Sequence, residues 1–333
     1  MNFALIIDLI GNINSYYVKN NKPYNFKGEL NEFNVSIGSE CYISTWNYPW
    51  LYENGYFINW SEFKYDLPDL DLDLIFLTVE RCLNRKDEFP WIDVDNIRKK
   101  YPNAKIVGFI KEVWVGPPYD YNHPKHLARI DFLNKCDAVV MNRPELKEFK
   151  NLSDNVNLPF NFVAQPHNID YYYDNFWRDK DKAIWVYDAH RQDRIADTVK
   201  FSSYISEKYN IPLKYKKVSS EKDWLIPLKD FITQWSSCAF HFNLDPIDYF
   251  PGNQVTQIAS TGTLNIGGLN DNHFILYPET ATCDLKILEE KFVEYLDDEN
   301  KFFETVKYAW DKVNEVFSFD SVKKQIEDIK YYD

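Results

Sequence analysis

Short apolar runs alternate along this chain with segments of helical spacing, and this alternation limits the possible folds more than any other feature. The first run, Phe3–Ile10, is nearly continuous and is closed by Gly11. Four similar runs follow, at Asp73–Val79, Lys105–Ile110, Asp137–Asn142 and Asn161–Pro166. Such runs are typical of strands that are buried on both faces of a sheet. Helical segments lie between them, at Val94–Lys100 and Pro124–Asn134, so we predict a parallel sheet with helices on both faces.

A second alternation begins at residue 183. It predicts strands at Ala183–Asp188, Leu213–Val218, Cys238–Asn243, Thr263–Gly268 and Phe274–Glu279, and helices at Asp193–Tyr209, Leu228–Trp235 and Gln254–Ser260. The polar, aromatic stretch His167–Lys182 is predicted to be the linker between the two sets. Single cores rarely grow beyond about 250–300 residues, and this chain has 333. We therefore expect two Rossmann-like α/β domains, residues 1–168 and 183–315.

The chain is predicted to end in helices. One apolar face comprises Ile287, Leu288, Phe292 and Leu296, and another comprises Phe302, Phe303, Val306 and Val313. Ser318 or Asp320 can cap a last helix, within residues 316–333, that buries Val322, Ile326 and Ile329. The stretch from Gly11 to Asp66 is less regular, and only Cys41–Trp46 is predicted to be a strand there.

Composition excludes several classes of protein. The formal net charge of −13 argues against a broad basic surface for nucleic acid and against docking on anionic membranes. The five cysteines form no CxxC pair, so we expect neither a disulfide framework nor a zinc site, and a reducing compartment fits. The first strand carries Asp8 and has no basic leader, so a signal peptide is not expected. No apolar run approaches the roughly 20 residues that span a bilayer, and we expect a cytoplasmic protein.

The segment from Phe242 to Gly268 carries the strongest indication of a ligand site. In open α/β sheets, ligands bind beyond the carboxyl ends of the strands, and helix N-termini there favour phosphate. A predicted strand ends near Asn243, a loop runs to Gly252, and a helix then begins. The N–H groups of Gly252, Asn253 and Gln254 could therefore face a diphosphate.

Two arginines follow the first predicted strand of the second domain. Arg191 and Arg194 lie in the loop Ala189–Arg194, at the carboxyl end of Ala183–Asp188. A guanidinium at that edge would stabilise negative charge on a phosphate leaving group.

These segments together resemble the donor-binding region of GT-B glycosyltransferases. In that family a glycine-containing loop enters a helix with an acidic residue, and a small-residue run, Gly-Thr and a strand follow. Here Gly252 precedes the helix, and Ala259–Thr263 supplies the small residues and the Gly-Thr pair. Gln257 stands where the family has Glu, and Leu264 where it has Pro. Gln165–Asp170 is similar to the family's interdomain turn, and Ser318–Phe319 to a Phe-Ser pair before its last helix.

The resemblance implies an enzyme that moves a glycosyl group from a nucleotide-diphosphate sugar to a hydroxyl acceptor. It needs no metal and no cofactor other than this donor, and its two domains face each other across a cleft. The donor lies on the second domain, and the last helix packs back on the first. Arg191 grips the donor phosphates as a catalytic residue, and the other donor-binding residues are Arg194, Gly252, Asn253, Gln254, Gln257 and Thr261.

The acceptor is expected to lie on the first domain. Loops after its strands offer Gly11, Asn12, Glu80, Trp114 and His126 as acceptor-side candidates. A carboxylate or histidine must take the acceptor proton in an inverting enzyme, and Glu112, directly after strand Lys105–Ile110, is best placed. The acceptor is a glycan, a small molecule or a modified DNA base, and the negative charge disfavours DNA.

Two other functions stay open at this point. One is a catalytically silent nucleotide-sugar-binding module, since Gln257 lacks the charge of the usual Glu, and the other is a sugar-nucleotide epimerase of the same fold. Other sites lack support. The acidic run Asp69–Asp73 precedes its strand, at the wrong end for a metal-bound donor, and the chain has no GxGxxG after strand one, no P-loop and no GxSxG.

Overall fold

A computed structural model describes residues 1–8, 15–20, 22–26, 47–63, 66–81, 92–110, 124–142, 154–188, 192–217, 228–244 and 253–332. The chain divides into two compact units. Unit 1 comprises Met1–Pro166 and Val322–Asp333, and unit 2 comprises His167–Ser321. Unit 2 is therefore inserted into the sequence of unit 1. In the described part of the chain, no helix is long and apolar enough to cross a membrane.

Unit 1 is built on an eight-stranded sheet. Its strands are β1 (Asn2–Asp8), β2 (Tyr16–Lys19), β3 (Lys22–Asn25), β4 (Asn54–Asn59), β5 (Leu74–Arg81), β6 (Lys105–Ile110), β7 (Ala138–Met141) and β8 (Phe160–Phe162). The order is β3-β2-β4-β1-β5-β6-β7-β8. All pairs are parallel except those of β2, which runs antiparallel to β3 and β4. Most side chains in the middle of β1, β5 and β6 are apolar and buried, as is typical of strands that are covered on both faces.

Short helices connect these strands. They are a 3-10 helix (Tyr48–Leu51), α1 (Trp60–Phe63), α2 (Val94–Lys100) and α3 (Pro124–Leu133). Asp93 caps α2 by accepting a hydrogen bond from the Asn96 N–H, as an N-cap aspartate commonly does. One face of the sheet packs against Ile97 and Leu133, which are fully buried. The predicted helices at 94–100 and 124–134 are confirmed within one residue.

The last residues of the chain complete unit 1. The Ala164 N–H donates to the side-chain oxygen of Gln325 (2.7 Å), and the Lys330 N–H donates to that of Asn161 (2.9 Å). The Tyr332 N–H donates to the carbonyl of Asp137 (3.1 Å). These bonds place residues 322–332 along the edge formed by β7 and β8.

Unit 2 is built on a four-stranded parallel sheet, as far as the structure describes it. The strands are β9 (Asp181–Asp188), β10 (Leu213–Lys217), β11 (Cys238–Phe242) and β12 (Leu264–Ile266), in the order β10-β9-β11-β12. The helices are α4 (Ile169–Phe176), α5 (Gln192–Tyr209), α6 (Leu228–Ser236), α7 (Asn253–Ser260), α8 (Asp271–Leu276), α9 (Leu285–Asp297) and α10 (Glu299–Phe317). The last helix, α11 (Phe319–Glu327), spans the boundary between the units.

Aromatic rings fill the core of unit 2. Phe292 of α9 contacts Phe240 and Phe242 of β11, with ring centroids 4.9 and 5.5 Å apart. Asp284 and Asp298 cap α9 and α10. The predicted apolar faces are partly confirmed, because Leu288 and Phe302 are buried whereas Ile287 and Phe303 are exposed. The predicted cap is confirmed at Ser318, whose hydroxyl accepts the Ser321 N–H (3.3 Å), and Val322, Ile326 and Ile329 are buried.

Two predictions of local structure are wrong. The segment Phe274–Glu279, predicted to be a strand, lies in and after helix α8, because Asn270 caps the preceding turn by accepting the His273 N–H. The stretch His167–Lys182, predicted to be the linker between the domains, contains α4 and belongs to unit 2. There Asn168 caps the helix, and Tyr172 and Phe176, four residues apart, form its buried face. The predicted strand Cys41–Trp46 lies outside the described residues.

Candidate functional site

The carboxyl ends of β9 and β11 lie side by side in unit 2. The two strands are parallel neighbours, with Phe242 paired to Val186. The chain leaves β9 toward residues 189–191 and leaves β11 toward residues 245–252. Helices α5 and α7 begin at Gln192 and Asn253. The predicted site residues Arg191 and Gly252 belong to these two segments and lie outside the described residues.

A buried polar network lies beside the N-terminus of α7. The ring Nδ1 of His241, on β11, is 2.7 Å from the side-chain oxygen of Asn265, on β12. Its Nε2 is 3.4 Å from the amide nitrogen of Gln254, in the first turn of α7. An amide oxygen only accepts and an amide nitrogen only donates, so His241 carries its proton on Nδ1. Burial lowers the pKa of His241 to about 4, and the ring is neutral at pH 7.

Two glycines allow the chain to turn sharply after β12. Gly267 and Gly268 have φ of 92° and 99°, which side-chain-bearing residues rarely adopt. A Cβ on Gly267 would lie 2.7 Å from the Asn243 carbonyl oxygen, and one on Gly268 would lie 2.4 Å from the His273 ring. The side-chain amide of Asn265 donates to the Gly267 carbonyl (2.9 Å). The ends of β11 and β12 are thus held close together at this edge.

The structure brings Gln254 to the predicted donor edge but separates Thr261 from it. Thr261 follows the C-terminal end of α7, near the amino ends of the strands. Its side chain is fully buried, and its hydroxyl donates to the Ile258 carbonyl (2.8 Å). Because α7 is eight residues long, its two ends are about 12 Å apart. We therefore leave Thr261 out of the proposed donor site.

Gln257 lies on the buried side of α7. It is 7% exposed, and its side chain is hydrogen-bonded to the hydroxyl of Tyr172, on α4. Tyr172 is itself fully buried. The residue at the position of the family's usual Glu thus has a partner inside the unit.

Replacing Gln257 by Met tests which role this side chain has. We expect the Gln257→Met variant to be less stable by about 1–3 kcal/mol, because the Tyr172 hydroxyl loses its buried partner. Nucleotide affinity should stay within about twofold if the amide acts only inside the unit. Urea unfolding and nucleotide titration measure the two effects separately. A large loss of affinity at unchanged stability would instead assign Gln257 to the ligand.

The other predicted site residues are described only in part. The backbones of Glu80 in β5, His126 in α3, Arg194 in α5 and Asn253 in α7 are placed. Gly11, Asn12, Glu112 and Trp114 lie outside the described residues.

Sequence reasoning missed the pairing of His241 with Asn265. Both residues lie inside apolar strand runs, which indicate buried strands and nothing more. Each is the one polar residue inside its observed strand, and the register that places them side by side cannot be read from the sequence.

Two carboxylates of the acidic run 69–73 have partners within unit 1. Asp73 accepts the Asn2 N–H (2.7 Å), and Asp69 pairs with Lys100. Among the described residues, no group of three or more His, Cys, Asp or Glu side chains could hold a metal ion.

Several solved structures share the fold of this chain. OtsA, in its apo structure, aligns with a TM-score of 0.56 over 80% of this chain and 74% of its own, at 10% identity. A mutant of TarM from S. aureus, in complex with Fondaparinux, alpha-GlcNAc-glycerol and UDP, aligns at 0.52, with 9% identity, over 76% of this chain and 54% of its own. HepE from Anabaena, in complex with UDP, aligns at 0.50 over 77% of both chains, at 11% identity.

These similarities establish the fold. The chain has the fold of GT-B glycosyltransferases, and the predicted α/β class with two Rossmann-like units and C-terminal helices is confirmed. The chain spans about half the length of the TarM chain. No protein-family model matches the sequence, and no curated protein matches it.

Proposed function

We propose that this chain is a glycosyltransferase that binds a nucleotide-diphosphate sugar on unit 2. The observation that carries the proposal is the edge where β9 and β11 end side by side, next to the N-terminus of α7 and the network of His241, Gln254 and Asn265. Helix N-termini at such edges favour phosphate. The TarM and HepE structures, which have this fold, contain UDP.

Each residue of this edge has a proposed role. The N–H groups of Gly252, Asn253 and Gln254 would bind the diphosphate. Arg191 would neutralise its charge, together with Arg194. Gln254 is held by His241, so the first turn of α7 is fixed before the donor arrives. A helix end that is already rigid loses little conformational entropy when the donor binds.

The proposed reaction needs no metal. The acceptor oxygen attacks the anomeric carbon of the sugar, and the bond from that carbon to the diphosphate breaks. The leaving nucleoside diphosphate takes the bonding electron pair, and Arg191 stabilises its charge. Glu112 of unit 1 takes the acceptor proton if the enzyme inverts, and the acceptor is a glycan or a small molecule, less favourably a DNA base.

Replacing Arg191 by Ala should weaken nucleotide-diphosphate binding by about 10- to 100-fold, because an arginine–phosphate bond contributes about 1.5–3 kcal/mol. Titration calorimetry with UDP, GDP and ADP measures this effect after a thermal-shift screen has identified the base. Lys200→Ala is the control, since Lys200 is an exposed cation in the middle of α5 and belongs to neither edge of the sheet. Equal affinity of wild type and the Arg191 variant would contradict the assignment.

A catalytically silent module is the second candidate function, and the burial of Gln257 against Tyr172 favours it. A side chain held in this way is not free to hold a donor ribose. The two functions differ in turnover. A transferase should release nucleoside diphosphate slowly from the bound sugar donor even without acceptor, whereas a silent module should bind the donor and release none.

A further inference from the structure

Unit 2 contains a cavity at the edge of its sheet opposite the proposed donor site. The cavity has a volume of about 570 Å³ and opens where β9 and β11 begin. The turn before β12, the end of α9 and the start of α10 contribute the rest of its lining. This volume is within the range that holds small-molecule ligands.

The floor of the cavity is apolar. It is formed by Ala239, Phe240, Phe302 and Val306, each less than a tenth exposed. The hydroxyl of Tyr295, which also lines the cavity, lies 3.5 Å from a carboxylate oxygen of Glu279. Sugar hydroxyls placed on this floor would lose their water partners without replacement, at a cost of about 1–3 kcal/mol each. The floor therefore favours a ring or a short alkyl body over a saccharide.

An indole ring forms one wall. Trp177 packs on Gly262, where an added Cβ would lie 3.0 Å from the ring. Tyr173 and Trp310 hold the indole in place, with ring centroids 5.5 and 6.0 Å from it. A flat aromatic wall beside an apolar floor suits a planar ligand.

The rim of the cavity carries cationic side chains. Arg178 and Lys182 are exposed, and neither forms an ion pair within the described ranges. Lys180 differs, because its Nζ donates to the carbonyls of Ser236 and Thr261, both at 2.6 Å. Burial lowers the pKa of Lys180 to about 7, so Arg178 and Lys182 carry the full positive charges of the lining, which also includes Asp179 and Glu299.

We propose that this cavity is a second ligand site, for a small organic anion with an apolar body. The apolar part occupies the floor beside Trp177, and the acidic group lies at the rim near Arg178 and Lys182. The proposal does not depend on the proposed function, since the site uses other residues at the other edge of the sheet.

Two dyes with the same aromatic body test the proposal. We expect 8-anilinonaphthalene-1-sulfonate to bind the folded full chain with a stoichiometry near one, measured by fluorescence titration. The uncharged N-phenyl-1-naphthylamine should bind more weakly. The double variant Arg178→Gln/Lys182→Gln should bind the sulfonate dye about fivefold more weakly, the effect expected from losing two exposed charge pairs. Its affinity for the uncharged dye should be that of the wild type.

Matched variants separate the site from general surface binding. Lys200→Gln/Lys286→Gln removes the same charge from two well-exposed lysines of unit 2 and should bind the sulfonate like wild type. Ala239→Met should fill the floor and weaken both dyes, and Val306→Phe provides the same test if that variant is unstable. The proposal is overturned if the folded protein does not bind the sulfonate, if both double variants bind it equally, or if filling the floor has no effect.

Discussion

Acid should unfold unit 2 at a pH above the range near 4 in which carboxylates titrate. Three of its histidines, His167, His241 and His273, are buried, and burial lowers their pKa to about 3, 4 and 3. In the unfolded chain they titrate near 6.5. Between pH 6.5 and 4 the unfolded state therefore binds protons that the folded state does not. Stability must fall as the pH falls, by about 1.4 kcal/mol per pH unit for each histidine.

The combined slope approaches about 4 kcal/mol per pH unit, which is a large part of a typical domain stability of about 5–15 kcal/mol. We therefore expect unit 2 to unfold near pH 5. Urea unfolding at a series of pH values, with hydrogen exchange of peptides from residues 167–321, measures this stability.

His167→Phe is the matched variant for this prediction. Neither ring nitrogen of His167 has a hydrogen-bond partner among the described residues, and the ring packs against Tyr172 and Phe317. A phenyl ring should fill the same space without a loss at pH 7. The substitution should also lower the slope of the unfolding free energy against pH by about a third, since one of three buried histidines is removed. An unchanged slope would show that His167 is not buried as a neutral ring.

The Gly55→Ala substitution should strongly lower the stability of unit 1. Gly55 lies in β4, between β1 and β2, and a Cβ there would lie 1.6 Å from the Pro49 carbonyl oxygen. Pro49 cannot move freely, because the adjacent Tyr48 is buried against Phe76 and Phe109. Such a clash with backbone belongs with the exceptional substitutions that cost more than about 4–5 kcal/mol.

The expected loss in Tm is roughly 10–20 °C, given about 2–4 °C per kcal/mol for a unit of this size. Differential scanning calorimetry measures it. Asn54→Ala is the control, since Asn54 is exposed and loses only a side-chain hydrogen bond to Asn2, so its Tm should change by no more than about 2–3 °C. A melting temperature like wild type in the glycine variant would show that β4 and the 3-10 helix are further apart.

Strands buried on both faces were predictable because their apolar runs are continuous. β6 is predicted to the residue, and β9 and β11 within two. Strands β2 and β3 were not predicted, because each is four residues long and mixes polar and aromatic side chains. Helix α8 was predicted to be a strand because the apolar residues from Phe274 to Tyr277 fit either structure, and the Asn270 cap decides between them.

For the site, the sequence leads to the edge where β9 and β11 end, which stays a prediction, and it does not reach the interior beside that edge. The order of strand, loop and helix around Gly252 follows from composition and spacing. The contacts of Gln257 with Tyr172 and of His241 with Asn265 depend on how α4, β11 and β12 pack. Those side chains are far apart in the sequence, and no local pattern relates them.

The insertion of unit 2 into unit 1 has a consequence for how the two units can be produced separately. The His167 N–H donates to the Phe317 carbonyl at 2.7 Å, so the chain enters and leaves unit 2 through neighbouring segments. Unit 1 needs residues 322–332 to complete the edge formed by β7 and β8, so it depends on chain segments from both sides of the insertion. Unit 2 is one continuous segment, and its closely spaced ends mark where it could be excised and produced alone.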